Sequence, residues 1–468
     1  MQGFSLKKYY HKFLILFLVF AFLITGGLGC KGLSAQEKEA MKPINLEYWT
    51  VFDDVDQIRA LINQYTLPRK YLKVTVRQLR EDELYKRLVE QLAEDRGPDI
   101  ISIHNRMLPA FRSKIATMPA SVSDTVVFTV KKKLGSETKV QVSNINLPTP
   151  YQIDAEYVSA VKNDVVFNDQ VYGLPLSVDT LALYYNKDLL DRSGVAQPPT
   201  NWSQFQAAVK KVTKFDPTGK TILQAGTALG TGSNIEAYDD LLYALFEQSN
   251  VGFTGSNGQA VFNYSPIGSS EISKSMSVVN FYTDFANPSK DTYSWDTNMG
   301  SALNAFTSGK LGFFFGYSYH NSLIKARAPQ LNVRILPLLQ LDSSRPVNVA
   351  NYWVQSVVKK SKNQNEAWAL INYLTHSEAT KTYLDKTGRP SALRAYITGQ
   401  QEKKELAPFV SQALVAKNWY RGRSYSSARS ALNYMLNQWL KSPGANKEQV
   451  KHWQELLDFA AAQINQSL

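Results

Sequence analysis

The apolar positions of this chain switch repeatedly between a period of two and a period near 3.6. Residues 44–49 read as a strand, and residues 55–65 as a helix with Val55, Ile58, Leu61 and Ile62 on one face. Leu72, Val74 and Val76 alternate as a second strand, and residues 81–94 form a second helix that buries Leu84, Leu88 and Leu92. Gly97-Pro98 stops that helix, and residues 99–103 are apolar enough to be a strand covered on both faces. A β-α-β-α-β opening implies a parallel, doubly wound sheet. Ligands of such sheets lie beyond the carboxyl ends of the strands. That rule points at Trp49 with Asp53 and Asp54, and at His104 with Asn105.

Between residues 112 and 151 the pattern weakens. Apolar stretches at 126–130 and 139–142 flank Gly135-Ser136, which predicts a hairpin or an insert without ligand contacts. Periodicity returns at 181–185, a buried strand closed by Asn186-Lys187-Asp188. Pro198-Pro199 then breaks the chain, and Asn201 with Gln204 makes a capping box for a helix carrying Trp202, Phe205, Val209 and Val212 on one stripe. Further helices are expected over 236–248, 273–285, 366–374 and 378–384, and strands at 311–317 and 332–337. Two amphipathic helices close the chain, one burying Met435 and Trp439, the other Trp453 and Leu457. Trp202, Trp368, Trp439 and Trp453 lie on helix stripes and belong to cores.

The N-terminus changes the picture. Lys7, Lys8 and Lys12 precede an uninterrupted apolar run at 13–24, followed by Thr25-Gly26-Gly27-Leu28-Gly29-Cys30. This is the layout of an export signal, and the run is short for a membrane span. Cys30, the only cysteine, stands where a lipoprotein signal places its acylated residue, although Leu28 lies two residues before it rather than the usual three. The expectation is a leader over 1–29, a flexible tether over 30–43, and a folded part held outside the cytoplasm by a lipid on Cys30, with an uncleaved anchor or a simple leader as the alternatives. One cysteine allows no internal disulfide.

Composition is that of a globular protein: 44% hydrophobic and 20% charged. The formal charge of +12 falls to +9 without the three leader lysines. No basic run exceeds Lys131-Lys132-Lys133 and no nucleic-acid module can be read, so no nucleic-acid partner is expected. GxSxG, HExxH and CxxC are absent. The histidines have no metal-ligand spacing, so neither metal nor cofactor is expected. The 226–232 segment GTALGTG is neither a P-loop nor a dinucleotide fingerprint. Asp53-Asp54 could serve as paired carboxylates of a glycan-active enzyme, but adjacent acids after a strand more often favour a helix N-terminus.

Tyr172-Gly173-Leu174-Pro175, Leu183-Tyr184-Tyr185-Asn186-Lys187-Asp188-Leu189, and Pro198-Pro199 with Trp202 carry a more specific signal. They resemble the segment by which family 1 bacterial extracellular solute-binding proteins, the carbohydrate-type receptors of ABC importers, pass from one lobe to the other. Gly309-Lys310-Leu311 through Tyr317 resembles that family's second crossing, 349–359 its third, and Gly388-Arg389-Pro390 its Gly-x-Pro turn. The resemblance implies an α/β two-lobe fold, each lobe a doubly wound sheet, joined by a multi-strand hinge. Lobe 1 would comprise 44–180 and 317–352, and lobe 2 181–316 and 353–468. It also implies a monomeric, non-enzymatic receptor that hands a small guest to a membrane permease. A sugar guest needs rings to stack on and polar groups to bind hydroxyls. Trp49, Trp295, Tyr317, Tyr319, Tyr352, Trp353 and Trp419 are the aromatic candidates, and Asp53, Asn105, Asp179 and Arg389 the polar ones. A glycan-active enzyme, or a surface adhesion or sensing lipoprotein on the same fold, is the alternative.

Overall fold

A computed structural model of the protein describes residues 34–51, 54–132, 135–264, 271–442 and 446–468. The leader, Cys30 and Asp53 lie outside the described residues. The opening pattern folds as its periodicity requires. Strands Leu72–Gln78, Ile44–Thr50 and Ile100–His104 pair in parallel, in that spatial order. Helices Val55–Thr66 and Glu81–Ala93 bury Ile58, Leu61, Leu84 and Leu88 against them. Trp353–Val357 then joins the same sheet antiparallel to Ile100–His104, with Leu174–Pro175 beyond it. A buried polar tie crosses these strands: the Tyr48 hydroxyl and Ser102 Oγ each donate to Gln355 Oε1 at 2.6 Å. Side chains 253 and 307 positions apart are thereby held in one register.

A second five-stranded sheet runs Lys214–Phe215, Ile222–Thr227, Leu311–Gly316, Ala182–Asn186 and Val333–Pro337. Its core includes Trp202 and Phe205, and continues into helices Tyr425–Lys441 and Lys447–Gln466, where Trp439 and Trp453 stack at 4.9 Å. Asn201 caps the helix Trp202–Val212 by accepting from Gln204 N–H, while the Gln204 side chain reaches Thr200 N–H instead of closing the box.

Each sheet has its own core, and the chain passes between the two three times. The passages lie side by side as a small sheet of Ala416–Lys417, Asn348–Asn351 and Asp179–Thr180. Asn348, fully buried, fastens it: its Oδ1 accepts from Leu181 N–H at 2.9 Å, and its Nδ2 donates to Leu181 C=O and Gln412 Oε1.

The lobe boundaries differ from the sequence expectation. Leu311–Gly316 is no crossing; it is an interior strand of the second sheet, flanked by Ile222–Thr227 and Ala182–Asn186. Val333–Pro337 pairs with Ala182–Asn186 and so belongs to the second lobe rather than the first. The chain returns to the first lobe at 348–353 and continues there through helices Gln364–His376 and Glu378–Thr387, which pack on Val55–Thr66. Ala407–Val410 then touches both lobes, with Phe409 in the second core and Val410 in the first, before the last passage at Ala416–Lys417. Assigning 317–352 to lobe 1 and all of 353–468 to lobe 2 is therefore corrected. An all-apolar strand reads alike in the middle of either sheet, and only its hydrogen-bonded neighbours say which sheet holds it.

Two local differences have simple causes. Within the expected tether, Ala35–Ala40 is helical, because Ser34 and Glu37 form a reciprocal capping box. The 112–151 region contains a ribbon of two 12-residue strands, Ser121–Lys132 and Gly135–Asn146, paired over their whole length. Its base is fixed to the first lobe by the buried Arg69–Asp124 ion pair at 2.5 Å.

Replacing Asn348 tests the hinge account. Asn348→Ala leaves the buried Leu181 N–H and C=O without their partner and should lower unfolding stability by about 2 kcal/mol in urea titration. A change below a few tenths of a kcal/mol would show that the hinge sheet does not depend on this side chain.

Candidate functional site

The carboxyl ends of the first sheet's parallel strands open on a cavity of about 660 Å³. Its first-lobe wall is built from Val51, Arg80, Glu81, His104, Trp353 and Arg389, and Tyr319 faces it from the second lobe. A second cavity of about 990 Å³ adjoins it and shares Glu81 and Asp82. This part runs between Tyr85 and Met107 of the first lobe and Glu236, Tyr238, Tyr425 and Arg429 of the second. Together they form a cleft with one wall on each lobe.

His104 ends its strand inside this cleft. Its Nε2 lies 2.9 Å from Asn351 Oδ1, and its ring meets Trp353 edge-on at 5.1 Å. Burial, reinforced by the positive charge of Arg106, lowers its pKa to about 4. The imidazole is therefore neutral over the physiological range and acts as a hydrogen-bonding wall. Asp54 opens the helix Val55–Thr66 and is held by the Tyr383 hydroxyl at 2.8 Å and Arg389 Nε at 3.0 Å. That pairing gives Asp54 a structural partner and points the Arg389 side chain into the cleft wall. Glu81 sits where the two cavities meet, in the first turn of its helix. Confinement raises its carboxyl pKa, opposed by Arg429 and Arg106. On the opposite wall, Tyr319 stacks on His320 at 4.1 Å, and His320 Nε2 lies 2.9 Å from Glu236.

Of the residues singled out from the sequence, Tyr319, Trp353 and Arg389 line the cleft, the first two half-buried and one from each lobe. The other aromatic candidates are buried elsewhere. Trp49 is 1% exposed, packed in the first core with its Nε1 donating to Glu47. Trp295 is fully buried in the second core and donates to Asn234 Oδ1. The Tyr352 hydroxyl donates to Asp164, and Tyr317 and Trp419 both donate to Asp240. All five are buried and line neither cavity. Asn105 is buried on Asp164 and Ala350 C=O. Asp179 belongs to the hinge, where it accepts from Ser318 N–H and Oγ at 2.8 and 2.7 Å. Asp53 falls outside the described residues.

Glu81, Tyr85, Glu236, Tyr425 and Arg429 were not singled out. The strand-end rule applied to Leu72–Gln78, as it was to its two neighbours, points straight at residues 79–83. Tyr425 and Arg429 carry no such signal, since only the packing of the last helices on the second lobe brings them to the cleft. Among the described residues no cluster of His, Cys, Asp and Glu is arranged to hold a metal ion. No helix of the described residues is long and apolar enough to cross a membrane.

Two sheets joined by three crossing strands, with a two-walled cleft between them, define a two-lobe binding protein of the periplasmic-binding type. Residues 53–381 match the family described as bacterial extracellular solute-binding protein, and the chain belongs to that family, whose members bind solutes rather than transform them. A multiple sugar-binding protein of Streptococcus mutans is 24% identical over 288 residues, 58% of this chain and 64% of its own length. A relative in Brucella abortus described as a binding protein is 22% identical over 240 residues, 51% of this chain and 54% of that protein. The chain thus spans about half to two thirds of the length of these relatives. An ABC transporter solute-binding protein of Thermotoga lettingae, solved with alpha-D-tagatose, shares the fold with a TM-score of 0.64 at 18% identity, over 90% of this chain and 99% of that one.

The pKa of His104 makes a pH prediction. Its folded value lies below the ordinary 6.5, so the unfolded chain takes up the proton first as pH falls. Above pH 6.5 the residue contributes no pH dependence. Between pH 6.5 and 4 it should cost the fold roughly 3 kcal/mol. His104→Asn should flatten that part of the stability profile measured by urea unfolding at a series of pH values. An unchanged slope would mean that the imidazole takes up its proton in the fold at the same pH as in the unfolded chain.

Proposed function

We propose that this protein is the extracytoplasmic receptor of an ABC importer, closing its two lobes on a sugar or oligosaccharide and delivering it to a membrane permease. The observation that carries this reading is the placing of Trp353 and Tyr319, half-buried rings from opposite lobes, on one cavity that also presents Glu81, Arg80, Asn351 and His104. Rings that stack on C–H faces beside groups that bind hydroxyls suit a carbohydrate, and a guest touching both walls favours the closed form. Each part of the cleft falls within the few hundred to about 1,000 Å³ typical of small-molecule sites. Two such parts joined at Glu81 suit an oligosaccharide better than a single sugar. The sugar-binding name of the Streptococcus relative and the tagatose in the Thermotoga structure support the same class.

Isothermal titration against a panel of glycans and polyols should find a binder. Trp353→Ala should weaken that binder about tenfold, equivalent to ~1.4 kcal/mol. Heat from a peptide or phosphate ester, with none from any glycan, would reject the ligand class and leave the receptor standing.

Anchoring through Cys30 completes the reading, because a receptor fixed near its permease meets it at high local concentration. Cys30→Ala should release the protein from the membrane fraction and abolish labelling by radioactive palmitate. Retention with undiminished label would place the anchor elsewhere.

A further inference from the structure

The floor of the cleft holds a charged contact between the lobes. Arg106 lies two residues beyond the strand Ile100–His104, and the next turn, with Leu108 and Phe111, packs in the first core. Its side chain leaves that lobe and enters a pocket of the second, where it is 3% exposed. Nη2 donates to Asp240 Oδ1 at 2.5 Å, Nη1 donates to the Tyr425 hydroxyl, and Asp239 lies 3.9 Å away. The guanidinium stands 5.0 Å from the centre of the Tyr425 ring and 5.8 Å from that of Trp419.

The pocket is assembled around this one cation. Asp240 also accepts from Trp419 Nε1 at 2.9 Å and from the Tyr317 hydroxyl, and Asp239 accepts from the Tyr425 hydroxyl. Two adjacent carboxylates on helix Tyr238–Gln248 are thus buried together. Among the described residues their own lobe supplies one nearby guanidinium, Arg429, 3.4 Å from Asp239. The opposite lobe supplies the second. Burial and the neighbouring Asp240 push the Asp239 carboxyl pKa up, opposed by Arg429 and Arg106.

The geometry points to Arg106 as an interlobe latch: a positioning residue that, through Asp239 and Asp240, holds the lobes together whether or not a guest fills the cleft. The inference rests on the lobes being hinged, as in the receptor reading. Arg106 and its partners lie off the three hinge strands, so rotation about those strands changes their separation. Opening draws the guanidinium into water and leaves the two buried carboxylates with the neutral donors of Tyr317, Tyr425 and Trp419 and, among the described residues, the charge of Arg429. Within the folded, closed arrangement, removing one partner of a buried pair is far more costly than the pair's net worth. Arg106 lines neither cavity, so its effect on a guest acts through the fraction of molecules already closed. A receptor with a larger closed fraction binds with an apparent affinity raised by that fraction.

Distance measurements between spin labels test this without any ligand. Labels at Lys86→Cys and Lys310→Cys, exposed positions one on each lobe, are placed in the full chain carrying Cys30→Ser. The guest-free protein should give one short, narrow distance distribution. Arg106→Met should broaden it towards longer distances, with at least a threefold rise in the separated population, and Arg106→Lys should recover part of the short distance. Should Arg106→Met fail to fold, Asp240→Asn should produce the same lengthening. Identical distributions in wild type and a folded variant would overturn the latch. This readout is independent of the glycan titration, so a failed sugar panel with a lengthened distance would reject the ligand class alone.

Discussion

Everything about this molecule follows from two hydrophobic cores sharing a connection of only three short strands. Each sheet buries apolar side chains in a core of its own. The strands between them, Asp179–Thr180, Asn348–Asn351 and Ala416–Lys417, are too short to form a core of their own. They are secured by side-chain hydrogen bonds instead, with Asn348 binding both backbone groups of Leu181 and Asp179 binding the start of the helix Ser318–Arg327. The cleft is the space between the two cores on one side of that connection.

The cleft walls inherit their positions from strand ends. His104, Val51 and the 78–83 segment are where they are because three parallel strands stop there, and the groups that meet them come from a separately folded lobe. Polar chemistry is accordingly divided. Groups facing the cavities keep access to water, as Glu81 and Arg429 do, whereas those in the joint between lobes are buried and paired, as Arg106, Asp164 and Asp240 are. Several aromatic residues, Tyr317, Tyr352 and Trp419 among them, use their polar atoms to complete these buried pairs.

How much of this was legible depended on the range of the interaction. The β-α-β-α-β opening was readable because each element carries its own period, and Trp202, Trp368, Trp439 and Trp453 could be assigned to cores from helical spacing alone. Two crossings were readable, the one that follows Tyr172 to Pro175 and the one at 349–359, which overlaps Asn348–Asn351 but is the second passage and not the third, whereas Ala416–Lys417 carried no such mark. Leu311–Gly316 misled because six consecutive buried positions look the same at a crossing and in a sheet interior. Trp295 and Trp419 misled for a related reason. A tryptophan beside polar residues reads as exposed, yet Asn234 and Asp240, far away in sequence, meet their indole N–H groups and let the rings be buried. Tyr425 could not be anticipated at all, since its place is set by how the last helices dock.

The first sheet has one further consequence, for the order in which the chain can fold. Trp353–Val357 lies between Ile100–His104 and Leu174–Pro175, so those two strands are joined only through a segment made some 250 residues after the first of them. Until that segment emerges from the ribosome, the half-built lobe shows an unpaired edge and an uncovered apolar face. Pairing at such separation is slow because a very long loop must close first. A newly made chain therefore cannot complete its first sheet until about three quarters of its length has been synthesised.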